Sequence, residues 1–206
     1  MNGFYAREQE AAACGRFLAG ADEAGRGPLA GPVVAAAVIL PADDWIEGVG
    51  DSKKLTEKQR EALYPLITAK ALDWSVGIVD VDVIESENIL NAARKAFQIA
   101  ITGLKTPLEQ LIMVTDQITG LDLPIPYTPI IKGDASVYSI AAASIIAKVT
   151  RDRIMIEYDS QYPEYGFAGH KGYGSARHRE ALRKYGPCPI HRMSFLTKIL
   201  ADGKED

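Results

Sequence analysis

The sequence is poor in cysteine, tryptophan and histidine, and it has no apolar run long enough to cross a lipid bilayer. Its two cysteines, Cys14 and Cys188, lie far apart and lack the spacing of metal ligands, so neither a disulfide framework nor a zinc site is indicated. Residues 1–13 carry acids where a signal peptide would be basic and apolar. These absences predict a cytoplasmic protein that does not associate with membranes.

A strong positive charge is also missing, because the formal net charge of the chain is −4. The charge is unevenly distributed, however. Residues 1–129 hold 11 Lys and Arg against 18 Asp and Glu, whereas residues 130–200 hold 11 against 6. A basic C-terminal third beside an acidic remainder fits a phosphate-binding face next to a metal-binding one. Solvated helix faces produce the same asymmetry, so charge alone leaves a nucleic-acid partner open.

The chain of 206 residues is long enough to bury a sizeable core, and its apolar pattern indicates an α/β protein. Predicted strands lie at 16–21, 33–40, 72–81, 110–115 and 130–131. Predicted helices lie at 5–14, 87–104, 137–158 and 176–185. One more predicted helix begins at Thr56, which is its N-cap. We expect a single domain over residues 1–206, in which roughly 160–206 form a C-terminal helical appendage.

The densest group of candidate functional residues follows the first predicted strand. Asp22 and Glu23 are adjacent there, and Gly25, Gly27 and Gly31 come directly after them. Neighbouring strand side chains point to opposite faces, so both carboxylates can reach one site only where the chain bends. The glycines allow such a bend, and carboxylate oxygens suit a hard divalent cation. A polar strand end followed by a hairpin explains the same residues.

Two more acids follow later predicted strands. Asp116 ends the strand at 110–115, and Asp134 lies just after the short strand at 130–131. Open α/β sheets place their sites at the carboxyl ends of strands, so these acids can join Asp22 and Glu23. Clustered carboxylates repel one another and therefore attract cations. An aspartate that ends a strand also commonly caps its own turn, which is the alternative for Asp116.

Residues 22–34 read Asp-Glu-Ala-Gly-Arg-Gly-Pro-Leu-Ala-Gly-Pro-Val-Val, a long and specific motif. Further blocks follow it in order, at 51–55, 132–134, 139–152, 169–174 and 186–195. Together these blocks resemble the type 2 ribonucleases H, the ribonuclease HII family. The resemblance covers about residues 16–198, which is nearly the whole chain.

This resemblance implies a ribonuclease H-like fold, with a central mixed β-sheet flanked by helices and a C-terminal helical segment over the substrate groove. It implies a metal-dependent endonuclease that hydrolyses the RNA strand of RNA/DNA hybrids. It also implies cleavage on the 5′ side of single ribonucleotides in duplex DNA, which leaves 3′-hydroxyl and 5′-phosphate ends. The expected partners are thus RNA/DNA hybrids and ribonucleotide-containing duplex DNA.

The family match also implies roles for the acids. Asp22, Glu23 and Asp116 match its metal ligands, and Asp134 resembles its fourth catalytic acid. The expected cofactor is Mg²⁺ or Mn²⁺, used as a pair of ions that a carboxylate bridges. The chain departs from the family at Gln117, where glycine usually follows the third acid, so the geometry at Asp116 is in question.

Substrate-binding residues follow from the same resemblance. The turn of Gly25, Arg26 and Gly27 would act with Tyr173 to sense the RNA-to-DNA junction, through a 2′-hydroxyl and a neighbouring phosphate. The remaining candidates are loop residues that would contact the substrate, namely Ser52, Lys53, Lys171 and Ser175. Without the resemblance, a turn between strands, a solvated lysine loop and an exposed loop tyrosine would explain these residues.

Two basic residues of the helix at 137–158 are predicted to be structural. Lys148 and Arg151 lie on one helical face and can pair with acids or face water. His178 and His191 are not at metal-ligand spacing. His178 can contact a phosphate, but both histidines can equally serve as structural hydrogen-bonding groups.

Three alternatives remain. A type 3 ribonuclease H would carry an extra N-terminal domain, whereas about 15 residues precede the first predicted strand. A hybrid-binding module without activity would lack one of the acids, and a metal-stabilised structural protein would unfold with a chelator. A monomer is expected, and the acidic residues 201–206 carry no motif for a sliding clamp.

Overall fold

The computed structural model describes residues 3–201, which form one five-stranded sheet with helices on both faces. The strands are β1 Phe17–Ala24, β2 Val33–Ile39, β3 Asp73–Val79, β4 Leu111–Asp116 and β5 Tyr127–Ile130. The helices in the first two thirds of the chain are α1 Ala6–Ala13, α2 Glu57–Lys70, α3 Val81–Glu87, α4 Ile89–Thr102 and a 3₁₀ turn at Leu108–Gln110. Those that follow are α5 Gly133–Ser136, α6 Tyr138–Gln161, α7 Phe167–His170, α8 Ala176–Tyr185 and α9 Met193–Ala201.

The sheet is mixed, with the strand order β3-β2-β1-β4-β5. Strands β1 and β2 pair antiparallel, as do β2 and β3, whereas β1 with β4 and β4 with β5 pair in parallel. The carboxyl ends of β1, β4 and β5 therefore meet at one edge of the sheet. This edge is where parallel strands place functional residues.

The core lies on both faces of the sheet, with α4 on one side and α6 on the other. Small residues let α6 approach β1 closely. A Cβ atom built on Gly20 would lie 2.4 Å from the backbone N of Ile140, which is closer than real Cβ atoms come. The alanines at 35–37 in β2 and 141–143 in α6 are fully buried, consistent with this tight layer.

The predicted central mixed sheet flanked by helices is confirmed, but two elements differ from the prediction. Strand β5 lies at Tyr127–Ile130 and so begins three residues before the strand predicted at 130–131. Because β5 is an edge strand, Pro129 is tolerated there although it lacks a backbone N–H. The position of a strand among its neighbours is not visible in local sequence.

The second difference is helix α3 at Val81–Glu87, which lies just before the helix predicted at 87–104 and was not predicted. Asn88 adopts a positive φ of 70° and separates α3 from α4. Its side-chain oxygen accepts hydrogen bonds from the backbone N–H groups of Leu90 and Asn91 at 3.0 and 3.1 Å. Asn88 is thus the N-cap of α4, a role for which asparagine is well suited.

Helices α7, α8 and α9 pack around a separate apolar cluster. Leu29 and Ala30, from the turn between β1 and β2, belong to the same cluster. The C-terminal helices therefore pack against the turn between β1 and β2 and support it. The division into one domain with an appendage over the groove stays a prediction, and its residues 202–206 lie outside the described part of the chain. Within residues 3–201, no helix is both long and apolar enough to span a membrane.

Candidate active site

The acids predicted from the motifs lie at the edge where the parallel strands end. Asp22 lies near the carboxyl end of β1, and Asp116 ends the neighbouring parallel strand β4. Asp134 is in the short helix α5, which follows β5. Asp22 is 5% exposed and Asp134 is 4% exposed, so both carboxylates are held inside the protein.

A groove lies at this edge of the sheet. Both Asp22 and Glu23 line it, although the two residues are neighbours in a strand. The strand ends at Ala24, and Gly25 then takes a φ of +101°, which favours glycine. The Glu23 carboxylate contacts the Arg26 guanidinium at 3.3 Å, and the Asp22 carboxylate accepts a hydrogen bond from the Glu23 backbone N–H at 2.7 Å. The predicted bend is therefore present where the glycines indicated it.

The negative charges of the clustered acids repel one another. Burial raises the pKa of Asp22 well above its usual range, and the negative charges of Glu23 and Asp116 raise this pKa further. Burial also raises the pKa of Glu23, against the opposing charge of Arg26. The pKa of Asp116 is raised by burial too, although its carboxylate accepts a hydrogen bond from the Gly133 N–H at 2.7 Å. A cation placed among these groups would be strongly favoured.

Lys53 places one positive charge beside these acids. Its ammonium donates to the Asp134 carboxylate at 3.0 Å, and this hydrogen bond raises the pKa of Lys53. The Lys53 side chain is otherwise exposed, so the ion pair contributes little to stability. The contact matters for the site because it brings a positively charged loop side chain into the acid cluster.

The donor set fits a hard divalent cation. Four carboxylates offer only oxygen ligands, which Mg²⁺ and Mn²⁺ prefer, and a flexible lysine ammonium already occupies a position beside them. Among residues 3–201, no three acidic, histidine or cysteine side chains are already gathered at coordinating geometry. Binding an ion would thus require the carboxylate side chains to turn toward it.

The residue after Asp116 is not a glycine, but its backbone takes a conformation that glycine favours. Gln117 adopts a φ of +43°, the left-handed region that glycine favours, and its N–H donates to Ile130 O at 3.1 Å. The chain thus takes the turn that a glycine would take, although a side chain is present. Gln117 does not displace Asp116 from the groove, which Asp116 lines.

Most predicted substrate-binding residues line the same groove, whose volume is about 480 Å³. The structure brings together there the turn, the lysine loop and the tyrosine, namely Gly25, Arg26, Gly27, Ser52, Lys53 and Tyr173. A Cβ atom on Gly27 would lie 3.8 Å from the ring of Tyr173, so the turn and the tyrosine face each other directly.

Lys171 and Ser175 are not brought to this groove. Lys171 is 7% exposed, and its ammonium contacts the Glu57 carboxylate at 3.3 Å and donates to Ala168 O. Ser175 is the N-cap of α8, where its side chain accepts from the His178 N–H at 3.2 Å. Both side chains are thus engaged in holding the loop, and their contacts with substrate stay predictions.

Three polar residues of the groove were not assigned to it from the sequence: Arg60, Ser144 and Lys148. Lys148 was predicted to be structural. Its ammonium contacts Asp152 at 2.6 Å and lies 5.8 Å from the centre of the Tyr173 ring. Ser144 and Lys148 are four residues apart, so they share a helical face, and this spacing was the available signal.

The histidines are structural, as one of the two readings proposed. His178 and His191 share a hydrogen bond at 2.9 Å between their Nε2 atoms, and His178 Nδ1 donates to Tyr173 O at 2.9 Å. His191 Nδ1 accepts from the Cys188 N–H at 2.9 Å, so neutral rings protonated on His178 Nδ1 and His191 Nε2 satisfy these three hydrogen bonds. Burial lowers the pKa of both His178 and His191 to about 4, which keeps the two rings neutral. The hydrogen bond from His178 holds the backbone carbonyl of Tyr173 in place.

A larger cavity of about 720 Å³ lies away from this groove, between α1 and the β1–β2 region. It contains the acids Glu8 and Asp43 but no cluster of them. The Glu8 carboxylate accepts from the Ser139 N–H at 2.9 Å, so it caps the first turn of α6. Size alone does not make this cavity the active site.

Solved structures share the fold. The ribonuclease H2 of Pyrococcus horikoshii OT3 matches with a TM-score of 0.74 at 30% identity, over 92% of this chain and 100% of that one. The ribonuclease HII of Archaeoglobus fulgidus, solved as a complex with PCNA, matches with a TM-score of 0.73 at 26% identity, over 92% and 97% of the two chains. The fold and the acid cluster define a protein of the ribonuclease H class.

Sequence comparison narrows that class. The family model described as Ribonuclease HII matches residues 19–198. The ribonuclease HII of Acetivibrio thermocellus is 58% identical over 185 residues, which are 90% of this chain and 72% of that relative. The chain belongs to the ribonuclease HII family, and it is an endoribonuclease that acts on RNA/DNA hybrids.

Proposed function

We propose that the protein is a divalent-metal-dependent endonuclease that cuts duplex DNA on the 5′ side of single embedded ribonucleotides, in addition to cutting longer hybrids. The observation that supports this proposal is the lining of one groove. The groove contains acids suited to a divalent cation, and beside them a glycine turn and a tyrosine suited to a ribonucleotide.

Asp22, Glu23, Asp116 and Asp134 are the residues that would hold Mg²⁺ or Mn²⁺. Such ions, when bound, activate water for in-line attack, neutralise the phosphate and stabilise the leaving 3′-oxygen. The products would carry 3′-hydroxyl and 5′-phosphate ends.

The rest of the groove would position the substrate. The N–H groups of Arg26 and Gly27 donate to no acceptor within residues 3–201, so they are available to a 2′-hydroxyl or a phosphate. The Tyr173 ring, which is 46% exposed, would stack on the sugar or base that follows the ribonucleotide. Lys53 and Arg26 place positive charge beside the path of the backbone.

Several wider features belong to the same proposal. The protein would act as a monomer in the cytoplasm, on the substrates of ribonucleotide excision and primer removal. A sliding-clamp partner is compatible with the Archaeoglobus fulgidus complex with PCNA, but residues 202–206 lie outside the described part of the chain. We expect no metal requirement for folding, so chelator should remove activity without unfolding the chain.

Cleavage of an end-labelled DNA duplex that contains one ribonucleotide tests the proposal. With Mg²⁺ we expect a single cut 5′ to the ribonucleotide, no cut in the all-DNA duplex, and no cut in EDTA. Tyr173→Ala should lower cleavage of this duplex about 5- to 150-fold, since stacking on an aromatic ring contributes about 1–3 kcal/mol per base. Tyr185→Ala, which removes an exposed tyrosine outside the groove, is the matched control and should leave the rate unchanged.

Other outcomes separate the alternatives. Cleavage of long hybrids only would keep the acid cluster and remove the support for ribonucleotide sensing by the turn and Tyr173. Tight binding of hybrids without any cleavage would instead favour a binding module.

A further inference from the structure

Two arginines are fully buried below the glycine turn. Arg151 in α6 and Arg192 just before α9 are both 0% exposed. Neither forms an ion pair with an acid within residues 3–201, and burial lowers the pKa of Arg192 to about 9 and that of Arg151 to about 10. Burying a guanidinium without a carboxylate is costly unless other groups satisfy its donors. The groups that do so identify its role.

Those groups are the carbonyl oxygens of the turn. The Arg192 guanidinium donates to Gly25, Arg26, Pro28, Gly31 and Pro32 at 2.7–3.1 Å. The Arg151 guanidinium donates to Ala30 and Pro32 at 2.9 Å, and the Arg192 backbone N–H donates to Leu29 O at 2.8 Å. Every carbonyl of residues 25–32 except that of Gly27 thus accepts a hydrogen bond from one of these two arginines.

The consequence concerns the opposite side of each peptide group. A peptide N–H points away from the preceding carbonyl, so carbonyls drawn toward the buried arginines turn N–H groups toward the groove. The N–H groups of Arg26 and Gly27 donate to nothing within residues 3–201, and both residues line the groove. Arg151 adds a second link, because it donates to Lys171 O and lies 6.0 Å from the ring of Tyr173.

We propose that Arg192 is a positioning residue for ribonucleotide discrimination, which acts by turning the carbonyls of the 25–32 turn inward and its N–H groups toward the substrate. This inference rests on the proposed function, since it assigns the turn to the ribonucleotide. Arg192 does not line the groove, so it acts through the turn and not by touching substrate.

The test compares Arg192→Met and Arg192→Lys with the wild type. The readout is the ratio of affinities for a duplex with one ribonucleotide and for the all-DNA duplex, measured by fluorescence anisotropy with Ca²⁺ in place of Mg²⁺. We expect Arg192→Met to lower this ratio about tenfold, the loss of one or two well-made hydrogen bonds to the 2′-hydroxyl. Arg192→Lys, which keeps the charge and some of the donors, should lie between.

Two controls separate positioning from general damage. Phe97→Leu alters the apolar core on the face of the sheet covered by α4. It serves as a variant whose loss of thermal stability is comparable to that of Arg192→Met. Arg183→Met removes an exposed positive charge from α8. Neither should change the ratio. In ¹⁵N-labelled protein, the amide signals of Arg26 and Gly27 should shift in Arg192→Met and stay in place in both controls.

The outcomes distinguish this inference from the function on which it rests. A wild-type protein that binds both duplexes equally would overturn the proposed function, while the amide signals would still report the orientation of the turn. A wild type that discriminates, with an Arg192→Met variant that is folded and discriminates equally well, would overturn the positioning role. An equal loss of the ratio in Phe97→Leu would also overturn it, because stability alone would then explain the effect.

Discussion

Asp22→Asn is expected to lower the cleavage rate at least about 10³-fold while the protein stays folded. Divalent ions contribute several kcal/mol to phosphodiester hydrolysis, and each 1.36 kcal/mol is a factor of ten in rate. Asp22 is buried among other acids at the carboxyl end of β1, so the amide cannot replace its charge as a metal ligand. Steady-state kinetics on an RNA/DNA hybrid measure the loss.

Thermal unfolding gives an independent readout for the same variant. Since the pKa of Asp22 is raised in the folded state, its ionised form destabilises the fold at neutral pH without metal. Asn removes this charge, so the variant should melt at a higher temperature than the wild type in EDTA. The difference should shrink as the pH falls, because Asp22 then becomes protonated in the wild type.

Asp122→Asn, at an exposed aspartate outside the groove, should change neither rate nor stability. Near-wild-type activity of Asp22→Asn would contradict the assignment.

Gly25→Ala is expected to destabilise the protein by about 3 kcal/mol or more and to remove activity with it. Gly25 has a φ of +101°, and an added Cβ would lie 2.3 Å from Arg151 Nε and 2.7 Å from Pro32 O. The first atom belongs to a fully buried guanidinium held by three carbonyls, and the second is backbone. Neither can move aside cheaply. Chemical denaturation measures the change.

Gly27→Ala is the matched control for that experiment. Gly27 lies two residues further along the same turn, has no positive φ, and has no neighbour closer than 3.8 Å to an added Cβ. Its free energy of unfolding should stay within about 0.5 kcal/mol of the wild type. If Gly25→Ala were as stable as Gly27→Ala, the close packing of the turn on Arg151 would be wrong.

The sequence was most informative about the acid cluster. Asp22, Asp116 and Asp134 were predicted at or just beyond strand ends, and parallel pairing of β1, β4 and β5 brings such ends to one edge. The bend after Glu23 followed from the glycines. These features depend on local sequence and on the general geometry of α/β sheets, which is why they could be predicted.

Other features depend on contacts between distant parts of the chain. Arg192 lies more than 160 residues from the carbonyls of Gly25 and Gly31 that it contacts, and no local pattern announces that pairing. Lys171 stands in a basic loop motif, yet its ammonium turns to Glu57 in α2. Lys148 looks like any surface lysine of a helix until Tyr173 is placed above it.

A Mn²⁺ titration followed by electron paramagnetic resonance tests the central claim, that the four acids form a divalent-metal site. The wild-type protein should remove Mn²⁺ from the free signal, Asp122→Asn should do the same, and Asp22→Asn should bind at least about tenfold more weakly. Mn²⁺ binding that is equally tight in Asp22→Asn, or that is missing in the wild type, would contradict the account.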